Sequence, residues 1–135
     1  MVEKAEAFAK KAHEGQVDKS GKPYFGHPKA VAAMVEGEVE KTVAYLHDVV
    51  EDTGVTIDQI RSLFGDEVAD AVDLLTHREG VPYFDYVEKI KANPVARRVK
   101  MADLTHNMDL SRLDTVTEKD LKRIEKYKKA YAMLA

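Results

Sequence analysis

The chain has no cysteine among its 135 residues, which excludes disulfides, thiolate metal sites and cysteine nucleophiles together. No apolar run approaches the ~18 residues that would span a membrane. The N-terminus, MVEKAEAFAKKAHEGQ, is charged throughout and lacks the apolar core of a signal peptide. There is no basic excess either: the net charge of -3 is the wrong sign for a dedicated nucleic-acid binder. No internal repeat, low-complexity tract or linker divides the chain. These absences set the expectation of one soluble, cytoplasmic domain over residues 1–135, with neither membrane nor nucleic acid as partner. At that length roughly two-thirds of the unfolded surface can be buried, so a core needs no staples.

No segment alternates with period two long enough to make a strand, whereas helical periodicity runs nearly throughout. Val2, Ala5, Phe8, Ala9 and Ala12 share one face of a helix over 2–14. After the loop EGQVDKSGKPYFG, Pro28 favours a first helical turn, and a second helix runs from His27 to about Glu36. A third covers 38–52, with Val39, Val43, Leu46 and Val50 as its stripe. Thr56 and Gln59 match a capping box for a short helix over 57–64, and another spans 66–76. Short 83–91 follows, then 94–110 from Asn93-Pro94, and 118–134 with Leu121, Ile124, Tyr127, Tyr131 and Leu134 inward. The expected class is an all-α bundle of about eight helices.

The stretch HDVVED, residues 47–52, gathers a histidine and three carboxylates into six positions. At about 100° per residue, His47 lies at the edge of the apolar stripe, with Glu51, Asp48 and Asp52 following round the cylinder. Read as the C-terminal part of a helix, this is negative charge where the helix dipole prefers cations. Either water or a bound cation must screen it. The helix over 94–110 repeats the layout, with Asp103 at the edge of its stripe and Asn107 four residues on. An aspartate bordering the core needs a partner. His27 offers an imidazole from the start of the second helix. Two histidines and two aspartates form a nitrogen and oxygen shell suited to Mn, Fe or Zn rather than Ca or Mg.

An isolated histidine, a His-Asp doublet and a distant aspartate resemble the HD superfamily of metal-dependent phosphohydrolases. KSGKPYFGHP, YLHDVVEDT, FGDEV and VKMADLTHNM, in that order, resemble the hydrolase domain of RelA/SpoT-type enzymes and the small single-domain (p)ppGpp hydrolases. The resemblance covers about residues 5–113. It implies an HD-domain bundle and a hydrolase removing the 3′-pyrophosphate of (p)ppGpp with metal-activated water. It implies His27, His47, Asp48 and Asp103 as ligands of one divalent ion, usually Mn2+, with Zn2+ or Fe2+ as alternatives. Glu51 and Asp52 match the pair used for proton transfer. Glu51 is the first choice, because its helical phase lies between His47 and Asp48. Lys19, Tyr24 and Asn107 match stretches that approach the nucleotide. Lys100, on the flank of Asp103, reads either as a phosphate contact or as an ion pair with the acidic cluster. Asp18, Leu104 and Asp109 stand where alarmone hydrolases tend to be basic. They keep one alternative open, another small nucleotide such as a nucleoside 5′-monophosphate as substrate; against a third reading, a nucleotide sensor without turnover, stands the intact set of His27, His47, Asp48, Asp103, Glu51 and Asp52.

Other polar residues read as structural. His13 suits a structural hydrogen bond, His106 a satisfied core position and His77 a helix C-terminus. Arg97, Arg98 and the last helix's Lys119, Lys122, Arg123, Lys126, Lys128 and Lys129 read as solvated charge. Arg112 could reach the pocket mouth.

Overall fold

The computed structural model describes residues 1–113 and 115–135, without the Arg112 side chain, so the reach of Arg112 lies outside the described residues. Helical periodicity becomes α1 (Val2–Ala12), α2 (Gly26–Met34), α3 (Glu38–Leu46), α4 (Val49–Asp52) and α5 (Ile57–Phe64). These are followed by α6 (Asp66–Leu75), α7 (Tyr83–Ile90), α8 (Pro94–Asn107), a 3-10 turn (Leu110–Arg112) and α9 (Glu118–Leu134). The all-α expectation holds, and none of these helices is long and apolar enough to cross a membrane.

Local signals set most of the boundaries. Thr56 and Gln59 close the capping box that starts α5, and Thr117 and Asp120 close another at α9. The Asn93 side chain accepts from the N–H groups of Val95 and Ala96, while Pro94, which has no N–H to satisfy, occupies the first turn of α8. α3 and α8 form the centre. α3 packs against α1, α2, α6 and α8, and α8 packs against α2, α3, α6, α7 and α9. Their inner faces bury Val43, Leu46, Val99 and Leu104 completely.

Three expectations change. The third helix is not continuous over 38–52: it stops at Leu46, and α4 begins a new turn after Asp48. The interruption rotates Val49 fully into the core and leaves Val50 half-buried, the reverse of the expected stripe. Leu104 is a core residue, so a base missing at that position says nothing about a polyanionic substrate. Leu121 is 51% exposed instead of inward. The first turns of α9 border a cavity, and core burial there is confined to Ala130 and Leu134 beyond Asp120.

Candidate metal centre

The break between α3 and α4 creates the geometry of the site. His47 closes α3 at φ -61, ψ -27, and Asp48 follows at φ -105, ψ -4. That lets two consecutive side chains converge, with His47 Nε2 only 3.1 Å from Asp48 Oδ2. α2 delivers His27 and α8 delivers Asp103. His27 Nε2 lies 2.7 Å from Asp103 Oδ1 and 3.7 Å from Asp48 Oδ2, and His47 Nε2 lies 3.3 Å from Asp103 Oδ1. One ligand atom from each of the four residues falls within 4.8 Å of all the others.

The hydrogen bonds around the ring nitrogens fix which atoms face inward. His47 Nδ1–H donates to the Ala44 carbonyl at 2.6 Å, leaving Nε2 for the cluster. His27 Nδ1 lies 2.7 Å from His106 Nδ1, and the two rings stack at 4.9 Å. With the proton on His27 Nδ1, His106 accepts it, and His27 Nε2 also presents a lone pair inward. Two imidazole lone pairs then face two carboxylates, an arrangement that repels unless a cation sits among them. Ligands at 2.0–2.2 Å from a common ion would stand about 3 Å apart at right angles. The observed separations bracket that spacing, so the residues present fit a divalent ion.

The carboxylates are held as tightly as the imidazoles. Asp103, 4% exposed, accepts from Lys100 Nζ at 3.0 Å and from Asn107 Nδ2 at 3.1 Å. The Tyr24 hydroxyl donates to Asp48 Oδ2 at 2.6 Å. Such outer partners orient ligands and keep them basic. Burial alone would raise the Asp103 carboxyl, but with Lys100 as the largest opposing influence it lies well below the usual carboxylate range. For His47, burial favours the neutral ring, but Asp48 and Asp103 more than compensate and raise its pKa in the absence of metal. Burial and the adjacent Asp48 push the Tyr24 phenol far up, so it remains a donor.

Glu51 and Asp52 stand on the wall of the same cavity, about 280 Å³ in volume. They belong to the first turn of α4. That single turn ends at Asp52, so the carboxylates still stand at a helix C-terminus, while the phase relation that singled out Glu51 is lost with the break after Leu46. Glu51 Oε1 accepts from the His77 N–H at 2.7 Å, joining α4 to the turn after α6. Partial burial, then Asp48 and Asp52, raise the Glu51 pKa against that bond, and burial followed by Asp48 raises Asp52.

All ten expected site residues line this cavity or its neighbour. Tyr24, Asn107 and Lys100 do so while already bonded to the four-residue cluster, so the ion-pair reading of Lys100 is realised. Lys19 is apart from the cluster, on a second cavity of about 370 Å³, where its ammonium lies 3.9 Å from Asp120. Asp18 sits there too, its Oδ1 accepting the Ser20 and Lys22 N–H groups in a turn. His13, as expected, makes a structural bond, Nδ1 to Gln16 Oε1 at 2.9 Å. His77 has a second role beyond its place after α6, through its backbone bond to Glu51.

Two contributors escaped the sequence reading. His106 is half-buried beside His27 rather than a core residue; its spacing, three after Asp103 and one before Asn107, was the available signal. Lys126 lines the cluster's cavity together with Tyr83, Tyr86 and Tyr127. Nothing in the periodicity of α9 distinguishes it from its solvated neighbours.

The family described as HD domain matches residues 5–135. A probable guanosine-3′,5′-bis(diphosphate) 3′-pyrophosphohydrolase of Synechocystis is 36% identical over 92% of this chain and 18% of its own length. The bifunctional (p)ppGpp synthase/hydrolase SpoT of Escherichia coli is 38% identical over 79% of this chain and 17% of its own. A GTP pyrophosphokinase of Myxococcus xanthus is 33% identical over 92% and 18%. The chain thus spans less than a fifth of the length of these curated relatives. A solved structure described as a metazoan SpoT orthologue that hydrolyses ppGpp superposes with TM-score 0.82 and 23% identity. It covers 98% of this chain and 84% of that one, and attests the fold.

Proposed function

This chain belongs to the HD-domain family, and from that premise we propose that it is a metal-dependent phosphohydrolase removing the 3′-diphosphate of (p)ppGpp or a closely similar 3′-substituted nucleotide in the cytoplasm. The observation that carries the reading is the convergence of His27, His47, Asp48 and Asp103 within 4.8 Å, beside a cavity wall bearing Glu51 and Asp52. Family membership implies a divalent ion. Those four residues would hold it; two imidazoles and two carboxylates suit Mn2+, Fe2+ or Zn2+, and of these we propose Mn2+, the ion that the RelA/SpoT resemblance implies. Such an ion supplies Lewis acidity toward a phosphoryl oxygen and acidifies water near neutral pH.

The chain's own residues do the rest. Lys100 and Asn107 keep Asp103 ionised and aimed, and Tyr24 does the same for Asp48. As a water oxygen bonds to the 3′-phosphorus, the bond from phosphorus to the ribose oxygen breaks. Glu51 takes the water's proton, which passes by way of Asp52 to the departing ribose oxygen. Such positioned proton transfer contributes ~10²–10⁴-fold. The larger cavity adjoins the cluster through Tyr24, His27 and Asn107, and Leu110, Leu113 and Ile124 give it an apolar wall suited to a nucleoside.

A second reading is a nucleotide with no phosphate at the nucleoside end. It is favoured by the larger cavity's charge, where Asp18, Asp109 and Asp120 outnumber the bases Lys19 and Arg123. One assay separates the readings: product release from ppGpp and from nucleoside monophosphates by the Mn2+-loaded protein. Pyrophosphate and GDP from ppGpp are expected. Release only from monophosphates supports the second reading, and release from none leaves a sensor.

A further inference from the structure

Two groups on the cluster's cavity take no part in the chemistry above. The Tyr83 hydroxyl, on α7, is buried and has no hydrogen-bond partner among the described residues. Native proteins leave few buried polar atoms unpaired, and Tyr83 is one of the residues that line the cavity. Lys126, on α9, holds its ammonium 4.4 Å above the Tyr83 ring and 5.9 Å from that of Tyr127. The ring faces attract a cation but supply no anion, and among the described residues no carboxylate pairs with Lys126. The cavity's other lysine, Lys100, is committed to Asp103 at 3.0 Å.

Charge gives the pair its occupant. Asp48, Glu51, Asp52 and Asp103 against Lys100 and Lys126 leave the cavity two charges negative, which one divalent ion cancels. In that balanced cavity Lys126 is the lysine that no carboxylate pairs with among the described residues, and so the one open to an entering phosphate. Contacts run from Asp103 to Lys100 at 3.0 Å, and from the Lys100 ammonium to the Tyr83 ring at 5.8 Å, with Lys126 on that same ring. The donor pair is therefore separated from the cluster by Lys100. We propose that Lys126 and Tyr83 form a subsite for the terminal phosphate of a diphosphoryl group, selecting diphosphate esters over monophosphate esters. The subsite rests on the phosphohydrolase reading and gives it a substrate class.

The test is calorimetry on the Mn2+-loaded protein with inorganic pyrophosphate and orthophosphate, Mn2+ held in excess. Pyrophosphate binds at least about tenfold tighter than orthophosphate, and Lys126→Ala weakens it ~10–100-fold, as loss of a charge-assisted bond implies. Tyr83→Phe, which keeps the ring and removes only the hydroxyl, weakens it by a smaller factor. Orthophosphate affinity stays within about twofold in both variants. Equal affinity for the two anions in the unaltered protein overturns the proposal. So does a parallel loss of both anions in Lys126→Ala, or an unchanged pyrophosphate affinity there. Should the preference appear and fall as stated while no nucleotide is cleaved, the subsite stands and the hydrolase reading fails. Cleavage of nucleotides without any such preference is the opposite result.

Discussion

Replacing His106 by phenylalanine should weaken divalent-metal binding while leaving the fold in place. His106 contributes a ring stacked 4.9 Å from His27 and a nitrogen 2.7 Å from His27 Nδ1. Phenylalanine retains the first and deletes the second. The lost hydrogen bond, worth ~0.5–1.5 kcal/mol net, is lost with or without metal and cancels from the affinity. The tautomer does not cancel. Without its acceptor, the His27 proton moves to Nε2, where Asp103 Oδ1 takes it at 2.7 Å. That charge-assisted bond, worth ~1.5–3 kcal/mol, must then be broken before the ring can ligate. At 1.4 kcal/mol per factor of ten, the expected rise in the dissociation constant is ~10–100-fold. Mn2+ titration by calorimetry at neutral pH measures it, with thermal melts by circular dichroism as the control for folding. A dissociation constant within about twofold of the unaltered protein's would refute the claim that His106 fixes the His27 proton.

Asp48→Ala should release the metal and abolish turnover, because it removes a proposed ligand and the Tyr24 acceptor together; metal content by elemental analysis checks this. Glu51→Gln should keep the metal and lose ~10²–10⁴-fold in rate, the span of one general base, and an unaffected rate would move proton transfer elsewhere. The metal-free protein should be most stable between about pH 4 and 6.5. Its raised His47 pKa contributes stability below the ordinary imidazole value that is lost as pH rises through the raised one. The depressed Asp103 contributes stability above the ordinary carboxyl value that is lost as pH falls. Urea melts in chelator test this, and greater stability at pH 9 than at pH 6 would contradict it. Leu46→Ala, at a fully buried position beside His47, should cost ~2–5 kcal/mol in the same melts.

What could be read from the sequence follows the range of each signal. The capping pair Thr56 and Gln59 and the Asn93-Pro94 start are local, and both set helix boundaries as expected. The pairing of Asp103 with Lys100 and Asn107 follows from spacings of three and four on one helix. The place of Leu121 on α9 was not legible, because which side of a helix meets solvent depends on where α7 and α8 lie: expected inward, it is exposed, whereas Lys126 is exposed as expected and also borders the cluster's cavity. The two cavities have the same origin, since their walls come from segments far apart in the chain.

The interruption at residues 47 and 48 was invisible for a different reason, and it bears most on the site. Neither glycine nor proline marks it. On an unbroken helix, neighbours point about 100° apart, so a His-Asp doublet could aim only one member at a shared centre. The Ala44 carbonyl, which a continuing helix would offer to the Asp48 N–H, takes the His47 side chain at 2.6 Å instead. Asp48 then adopts φ -105, ψ -4, near the bridge between helical and extended backbone. From there its carboxylate lies 3.1 Å from His47 Nε2. The same turn starts α4 anew, buries Val49 and sets Glu51 against the His77 N–H. One side-chain bond at the end of α3 thus aligns the doublet, its ring tautomer and the acidic pair beyond it, which is why this chemistry needs adjacent residues where helix periodicity alone would keep them apart.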